Sequence, residues 1–348
     1  MQVRKAKAAI LAKSREPLIV DEIEFPEALG VGQVLIKILY TTICGAQINE
    51  IAAAKGPDKF LPHLLGHEAS GTVIETGLGV TNVKLGDTVV LHWRPSLGIQ
   101  CSPPSYKWRG NKLNAGWVTT FNEYAVISEN RMTPIPSDYD LKVAPLLGCA
   151  VTTAAGVINN DAKVKIGESV VIFGVGGVGL NVVQFAQLVG ANPIVAVDLI
   201  DNKLGMAKAR GATHCLNAKN ITDIPAAIRE IVGAKGPDKV IETTGVKHVI
   251  EQAYDLTHAD GTCVLVGVPN EKVTIYTLPI HFNKVLTGSH GGSSAPHIDI
   301  PRLIRLTKAG RLSFDGIITH EFTLEKINEA LDIVQSGAAG RVLLSIGR

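Results

Sequence analysis

The periodicity of apolar and polar positions changes once along the chain, close to Thr153. Up to residue 150 the apolar runs are short, as strands are, and glycine and proline break them. Ala8 to Ala12, Leu18 to Ile23 and Val34 to Thr41 are predicted strands, with Pro26, Gly30 and Gly32 as punctuation. A short helix is expected over Ile48 to Ala54, before Gly56-Pro57. Strands follow over Gly71 to Glu75, Thr88 to Leu91 and Phe121 to Ile127. Residues 92 to 118 lack the pattern and read as one long loop, a feature more often functional than average.

From Thr153 strand and helix alternate. Ser169 to Phe173 has the texture of a strand buried on both faces. The helix after it places Val178, Val182, Phe185, Ala186 and Val189 on one face, and Gly190 stops it. Strands are predicted at Ile194 to Val197, His214 to Leu216, Lys239 to Glu242, Cys263 to Val268 and Val285 to Gly288. Helices over Lys203 to Arg210, Ile224 to Ile231 and Val249 to Leu256 separate them. Such alternation predicts a doubly wound parallel sheet with right-handed crossovers. Ser289 to Ser294 reads as a hinge. Beyond Ile298 come two helices, the second carrying Leu324, Ile327, Leu331 and Val334 with Thr323 as N-cap, and a strand from Arg341 to Ile346. The parallel sheet is complete before this strand, so the tail is expected to return to the first domain.

Between the first strand and helix of the alternating part stands Gly174-Val175-Gly176-Gly177-Val178-Gly179, a G-x-G-x-x-G. In that context the glycines let the backbone approach a pyrophosphate and the new helix points free N–H groups at it. The next strand ends on Asp198, placed to accept hydrogen bonds from the adenosine ribose. A 2′-phosphate would meet that carboxylate, so NAD is expected over NADP; Lys203 is placed to reach the ribose hydroxyls.

Length and composition narrow the class. A chain of 348 residues suggests two domains, and 46% hydrophobic residues supply ample core. The net charge of +2 implies no nucleic-acid or membrane surface, and no apolar run reaches membrane-spanning length. Met1 to Arg15 carries scattered charges and does not read as a signal peptide. Five widely spaced cysteines (44, 101, 149, 215 and 263) argue against a disulfide framework and for a reducing cytoplasm.

Cys44, His67, Glu68 and Cys149 are the candidates for chemistry. Thiolate and imidazole suit zinc, and a catalytic site uses three protein ligands with a fourth position open. Spacing leaves the matter undecided: a lone buried Cys is usually structural, and a lone His is usually a satisfied core residue.

The whole chain resembles the zinc-dependent medium-chain dehydrogenases/reductases, the superfamily of alcohol and polyol dehydrogenases. The shared signatures run in order: Cys44-Gly45 after a strand, Gly66-His67-Glu68 with Ala69-Ser70-Gly71, Gly86-Asp87, Leu147-Gly148-Cys149, the glycine loop, Asp198, Val266-Gly267-Val268-Pro269, and Phe322 to Gly337 before Arg341. The resemblance implies an α/β protein: a GroES-like, mostly-β catalytic domain (1–152 and 291–348) around a Rossmann domain (153–290), with the active site in the cleft. It implies one catalytic Zn2+ per chain on Cys44, His67 and Cys149, with Glu68 counted in the metal set as an acid that can displace water. The Leu-Gly-Cys context of Cys149 resembles the alcohol-dehydrogenase branch. The resemblance also puts Thr153, Val178 and Val268 at the cofactor, Arg341 at its phosphates, and Trp93 in the wall of a substrate pocket that Gln47, Asn49 and His92 share.

Three departures stand out. Residues 92 to 118 hold only Cys101 where the family's structural zinc lobe has four cysteines. The hydroxyl and histidine that usually relay a proton are replaced by Ala46 and Asn49. The Asp usually three residues after the first zinc cysteine is Gln47, which removes a negative charge near the metal. The expected activity is hydride transfer between an alcohol and NAD. The run His92, Trp93, Arg94, Tyr106, Lys107, Trp108, Arg109 points to a polyhydroxylated substrate such as a sugar, aminosugar or cyclitol. A homo-oligomer, dimer or tetramer, is expected, with no nucleic-acid or membrane partner. The alternatives are a zinc-free, NADPH-dependent enone or quinone reductase and a non-catalytic NAD-binding protein.

Overall fold

The computed structural model describes residues 1–54, 56–337 and 339–347. The chain forms two compact units, Met1–Cys149 with Ala295–Arg348, and Ala150–Ser294.

The first unit begins with β1 (Lys5–Leu11), β2 (Ile19–Glu24) and β3 (Gln33–Thr42), then α1 (Gly45–Ile51) and β4 (His63–Leu64). β5 (Ala69–Thr76), β6 (Thr88–Leu91), β7 (Tyr106–Trp108), β8 (Asn111–Leu113), β9 (Tyr124–Ser128) and β10 (Met132–Pro134) follow. α1 starts three residues before the expected helix. Cys44 is its N-cap, and the Gln47 side chain bonds back to the Cys44 N–H, which fixes the first turn there. Residues 92–118 are not one loop. Lys107 pairs with Lys112 and Trp108 with Asn111 across the two-residue turn Arg109-Gly110, both at positive φ. Arg-Gly is a weaker hairpin signal than Asn-Gly, and the strands are only three residues long.

The second unit contains α2 (Ala150–Gly156), β11 (Val170–Phe173), α3 (Gly179–Leu188), β12 (Ile194–Asp198), α4 (Asp201–Ala209), β13 (His214–Asn217), α5 (Ile224–Val232), β14 (Lys239–Glu242), α6 (Lys247–Leu256), β15 (Thr262–Leu265) and β16 (Val285–Gly288). Its strands form one parallel sheet in the order β13-β12-β11-β14-β15-β16. β11 and β14, neighbours in the sheet, lie on either side of the point where strand order reverses. Ligands of such sheets bind outside the carboxyl ends of those strands. β15 stops at Leu265, short of the expected Val268, because Val266 and Gly267 donate their N–H groups to the Glu242 carbonyl instead of continuing the ladder. The Ser289–Ser294 stretch is packed, not free. Gly291 and Gly292 are buried, and Asn160 donates to the Gly292 carbonyl at 2.9 Å.

The tail is α7 (Pro296–Lys308), β17 (Ile318–Thr323), α8 (Ile327–Gln335) and β18 (Arg341–Ser345). β18 pairs antiparallel with β3, Leu343 opposite Thr42, so the tail does rejoin the first unit. Thr323 precedes a 3-10 turn and makes no side-chain cap; its hydroxyl serves the Glu325 carboxylate. The first unit has a five-stranded sheet, β4-β1-β2-β7-β8, and a seven-stranded one, β10-β6-β5-β3-β18-β17, with β9 also on β3. Its larger apolar core joins Ile36, Ile38, Leu91, Phe121, Leu331 and Leu344.

Candidate functional site

Three turns of the first unit bring Cys44, His67 and Cys149 together. Cys44 follows β3 and caps α1. His67 precedes β5, after Gly66 at φ +88; a Cβ there would come 2.3 Å from Thr120 Oγ1. Behind it the Thr41 hydroxyl donates to the Glu68 carbonyl at 2.6 Å and pairs with Thr120 at 2.8 Å. Cys149 follows the 3-10 turn Ala144–Gly148. At Gly148 a Cβ would lie 2.3 Å from the Leu91 carbonyl and 2.9 Å from Glu68 Cβ, so only glycine lets that turn lie against the His67-Glu68 segment. The two sulfurs and one ring nitrogen lie within 4.8 Å of one another.

The electrostatics suit a cation. The Cys149 hydrogen bond holds the Cys44 thiol well below its ordinary range against the effect of burial, with His67 and Arg341 adding to it. The same contact, with burial, pushes the Cys149 thiol well above its range. Burial disfavours the charged His67 ring, but the Cys44 sulfur beside it raises its pKa overall. Glu68, fully buried, is raised by burial against the opposing pull of Arg341. The His67 Nε2 atom is buried and has no hydrogen-bond partner. Two thiol ligands, an unpartnered imidazole nitrogen and a buried carboxylate beside them fit a zinc ion with an open position.

Arg341 is buried among the metal-set residues. β3–β18 pairing carries it to this centre, where Nη1 donates to the Ile43 carbonyl at 2.9 Å and Nη2 lies 3.3 Å from Glu68. Burial disfavours its charge, but Glu68 and the two thiols raise its pKa. Gln47 is 2% exposed; its Oε1 accepts the Cys44 N–H at 3.0 Å and its Nε2 lies 2.6 Å from His67 Nδ1. It thus touches two metal-set residues and is buried between them. Ala46 and Asn49 are exposed on α1.

His92 is not a substrate contact. It is fully buried, with Nδ1 2.8 Å from the Arg94 carbonyl and Nε2 2.9 Å from the Thr133 hydroxyl, and burial pushes its pKa down to about 4. Tyr106 is core, its oxygen accepting the Val126 N–H and its ring edge-on to Phe25. Trp108 Nε1 and the Arg109 guanidinium both donate to Asp21. Of the aromatic and basic run, Trp93 remains half-buried, with the Arg94 guanidinium 5.9 Å from its ring centre. Around Cys101, the buried Glu129 carboxylate accepts the N–H groups of Thr81, Asn82 and Ile99, and Ser128 accepts that of Cys101. Arg131 donates to the Trp93 carbonyl and to Gln100 and stacks on Trp117.

In the second unit the glycine loop joins β11 to α3. Asp198, at the end of β12, accepts the Val175 N–H at 2.8 Å through one oxygen and those of Leu199 and Ile200 through the other. A carboxylate has about four lone-pair sites, so with three backbone N–H groups accepted, capacity remains for one ribose hydroxyl. Asn181 donates to the Gly177 carbonyl and Thr243 to those of Phe173 and Gly174, which fixes the loop from both sides. Val178 and Lys203 are half-buried, Thr153 is buried on α2, and Val268 is exposed. Sequence reasoning missed Thr41, Thr120, Thr243 and the Glu68–Arg341 pair. Only the pairing of distant strands and turns reveals them.

Residues 30–137 match the alcohol dehydrogenase GroES-like domain family, and residues 177–309 match the zinc-binding dehydrogenase family. The S-(hydroxymethyl)glutathione dehydrogenase of Paracoccus denitrificans is 31% identical over 97% of this chain and 98% of its own. Among solved structures, an alcohol dehydrogenase zinc-binding domain protein of Burkholderia ambifaria is similar with a TM-score of 0.90, at 28% identity over 98% of this chain and 99% of that one. The benzyl alcohol dehydrogenase of Acinetobacter calcoaceticus gives 0.89, at 27% identity over 99% and 100%.

Proposed function

The chain belongs to the zinc-type medium-chain alcohol dehydrogenases, and on that premise we propose that it transfers a hydride between NAD and an alcohol bearing a second hydroxyl beside the reacting carbon. The observation that carries the reading is the convergence of Cys44, His67 and Cys149 on one point, with His67 Nε2 unpartnered. A zinc-free reductase has no need of such a set.

When bound, zinc supplies a Lewis acid that makes an alcohol oxygen more acidic, and NAD accepts the hydride. Cys44, His67 and Cys149 would hold the metal. Glu68, 3.3 Å from Arg341, would set a carboxyl group beside it. The glycine loop and the start of α3 take the pyrophosphate, and Asp198 takes the ribose and disfavours a 2′-phosphate. Ala46 carries no proton, so the second hydroxyl of the substrate passes the proton outward. The polyhydroxylated class now rests on that missing relay alone, since Tyr106, Trp108, Arg109 and His92 serve the fold. An oxidation screen across simple alcohols, vicinal diols, cyclitols and sugars, read as NADH absorbance, tests it. Diols and polyols are expected to exceed ethanol by at least about 10²-fold in kcat/KM, and Ala46→Ser to narrow the gap. Equal turnover of ethanol and the best diol removes the reading.

The same reading includes a homodimer. Tyr276, Leu278, Ile280, Phe282 and Val285 are all exposed, Phe282 by 66%, on or just before β16, one of the two edge strands of the parallel sheet. An apolar open edge is matched by a second copy of itself about a two-fold axis. Sedimentation should give a dimer, and Phe282→Glu a monomer; a wild-type monomer excludes it. Among the described residues no helix is long and apolar enough to cross a membrane.

A further inference from the structure

We infer that Gln47 leaves the metal centre with one hydrogen bond it cannot make, so that zinc is held more weakly here than a carboxylate at the same position would allow. The inference rests on the zinc reading above.

Gln47 reaches Cys44 and His67 with opposite ends of one amide. Oε1 accepts the Cys44 N–H at 3.0 Å, and Nε2 lies 2.6 Å from His67 Nδ1. An amide nitrogen only donates, so in this arrangement Nδ1 accepts and the ring proton sits on Nε2. A metal ligand needs the reverse. His67 binds through Nε2, the atom that is buried and unpartnered, and its proton must then be on Nδ1. On loading, the Nε2 proton leaves to solvent and one is taken up at Nδ1, so the ring stays neutral. Nδ1–H then requires an acceptor. If the amide turns over, Oε1 meets Nδ1–H, but its NH2 group faces the Cys44 N–H, donor against donor. If it does not turn, NH2 faces Nδ1–H. Either way one N–H beside a ligand is left unmet by the amide, which is itself 2% exposed. A carboxylate has two acceptor ends and satisfies both.

The test is zinc affinity and ring tautomer in the full chain. Gln47→Glu keeps the side-chain length and offers two acceptors. Its zinc dissociation constant, by competition with a chelator, is expected to be about 10- to 100-fold lower than wild type, the usual scale for an outer hydrogen-bond partner. By 15N NMR with labelled histidine, His67 of the metal-free wild type is expected as the Nε2–H tautomer, moving to Nδ1–H when zinc is added. Gln47→Glu is expected to show Nδ1–H without metal. Equal or weaker zinc binding by Gln47→Glu overturns the inference. So does a metal-free wild type already in the Nδ1–H form, which would assign any tightening to added charge alone. If the variant does not fold, the wild-type tautomer decides by itself. If neither protein takes up zinc, the zinc reading has failed, a result distinct from either outcome above.

Discussion

The guanidinium of Arg341 lies 3.3 Å from the carboxylate of Glu68, with the two side chains 5% and 0% exposed, so residues from the two ends of the first unit form one buried ion pair beside the metal set. The pair is not by itself evidence of stability, because desolvation of both charges offsets their attraction. Removing one partner is different. Arg341→Met strands a buried carboxylate and the Ile43 carbonyl, and is expected to cost about 3–5 kcal/mol. Adding Glu68→Gln should recover part of that loss. Urea unfolding read by tryptophan fluorescence reports it, since Trp93, Trp108 and Trp117 all lie in the first unit. A loss below about 1 kcal/mol would mean the pair is open to water.

Cys149→Ala removes one of three ligands. Elemental analysis should give one zinc per chain in the wild type and less than about a tenth of that in the variant, activity falling with it. NAD binding, measured by calorimetry, should be unchanged, because the glycine loop belongs to the other unit. Two zinc ions per wild-type chain would contradict the single centre.

Asp198→Ser removes the charge that would meet a 2′-phosphate. The ratio of kcat/KM for NADP to that for NAD should rise by at least about tenfold, some 1.4 kcal/mol. The variant also loses the bond to the Val175 N–H, so weaker binding of both cofactors is expected alongside the change in ratio. A wild type that already prefers NADP would show that the carboxylate is not at the ribose.

His92 gives a pH dependence of definite sign. Its folded pKa is about 4, against an ordinary value near 6.5, because burial disfavours the imidazolium. The unfolded chain therefore binds the proton first as pH falls. The stability contributed by the neutral ring is complete above about pH 6.5 and is lost down to about pH 4, by roughly 3 kcal/mol at most. Denaturation midpoints across that range should fall less steeply in His92→Gln than in the wild type. Parallel curves would mean the ring is reached by water.

Much of this was fixed by the order of residues. Strand and helix periods placed the doubly wound sheet, since a parallel strand buried on both faces must be apolar throughout and its crossover helix must be amphipathic. The glycine loop was legible for a related reason: Gly174 to Gly179, the strand before it and Asp198 after it are contiguous, and a local backbone task is written locally. The metal set was legible only as candidates, because Cys44, His67 and Cys149 sit on three separate turns and nothing in their spacing brings them together. The fate of the aromatic run was decided by tertiary structure alone. Trp108 and Arg109 turn to Asp21 on β2, and His92 to Thr133 on β10, because a polar side chain leaving water takes whichever buried partner the sheets put beside it. Gln47 shows the division most clearly. The sequence showed a missing charge, but that its amide bridges Cys44 and His67 with one donor end and one acceptor end follows only from how α1 is set against the turn before β5.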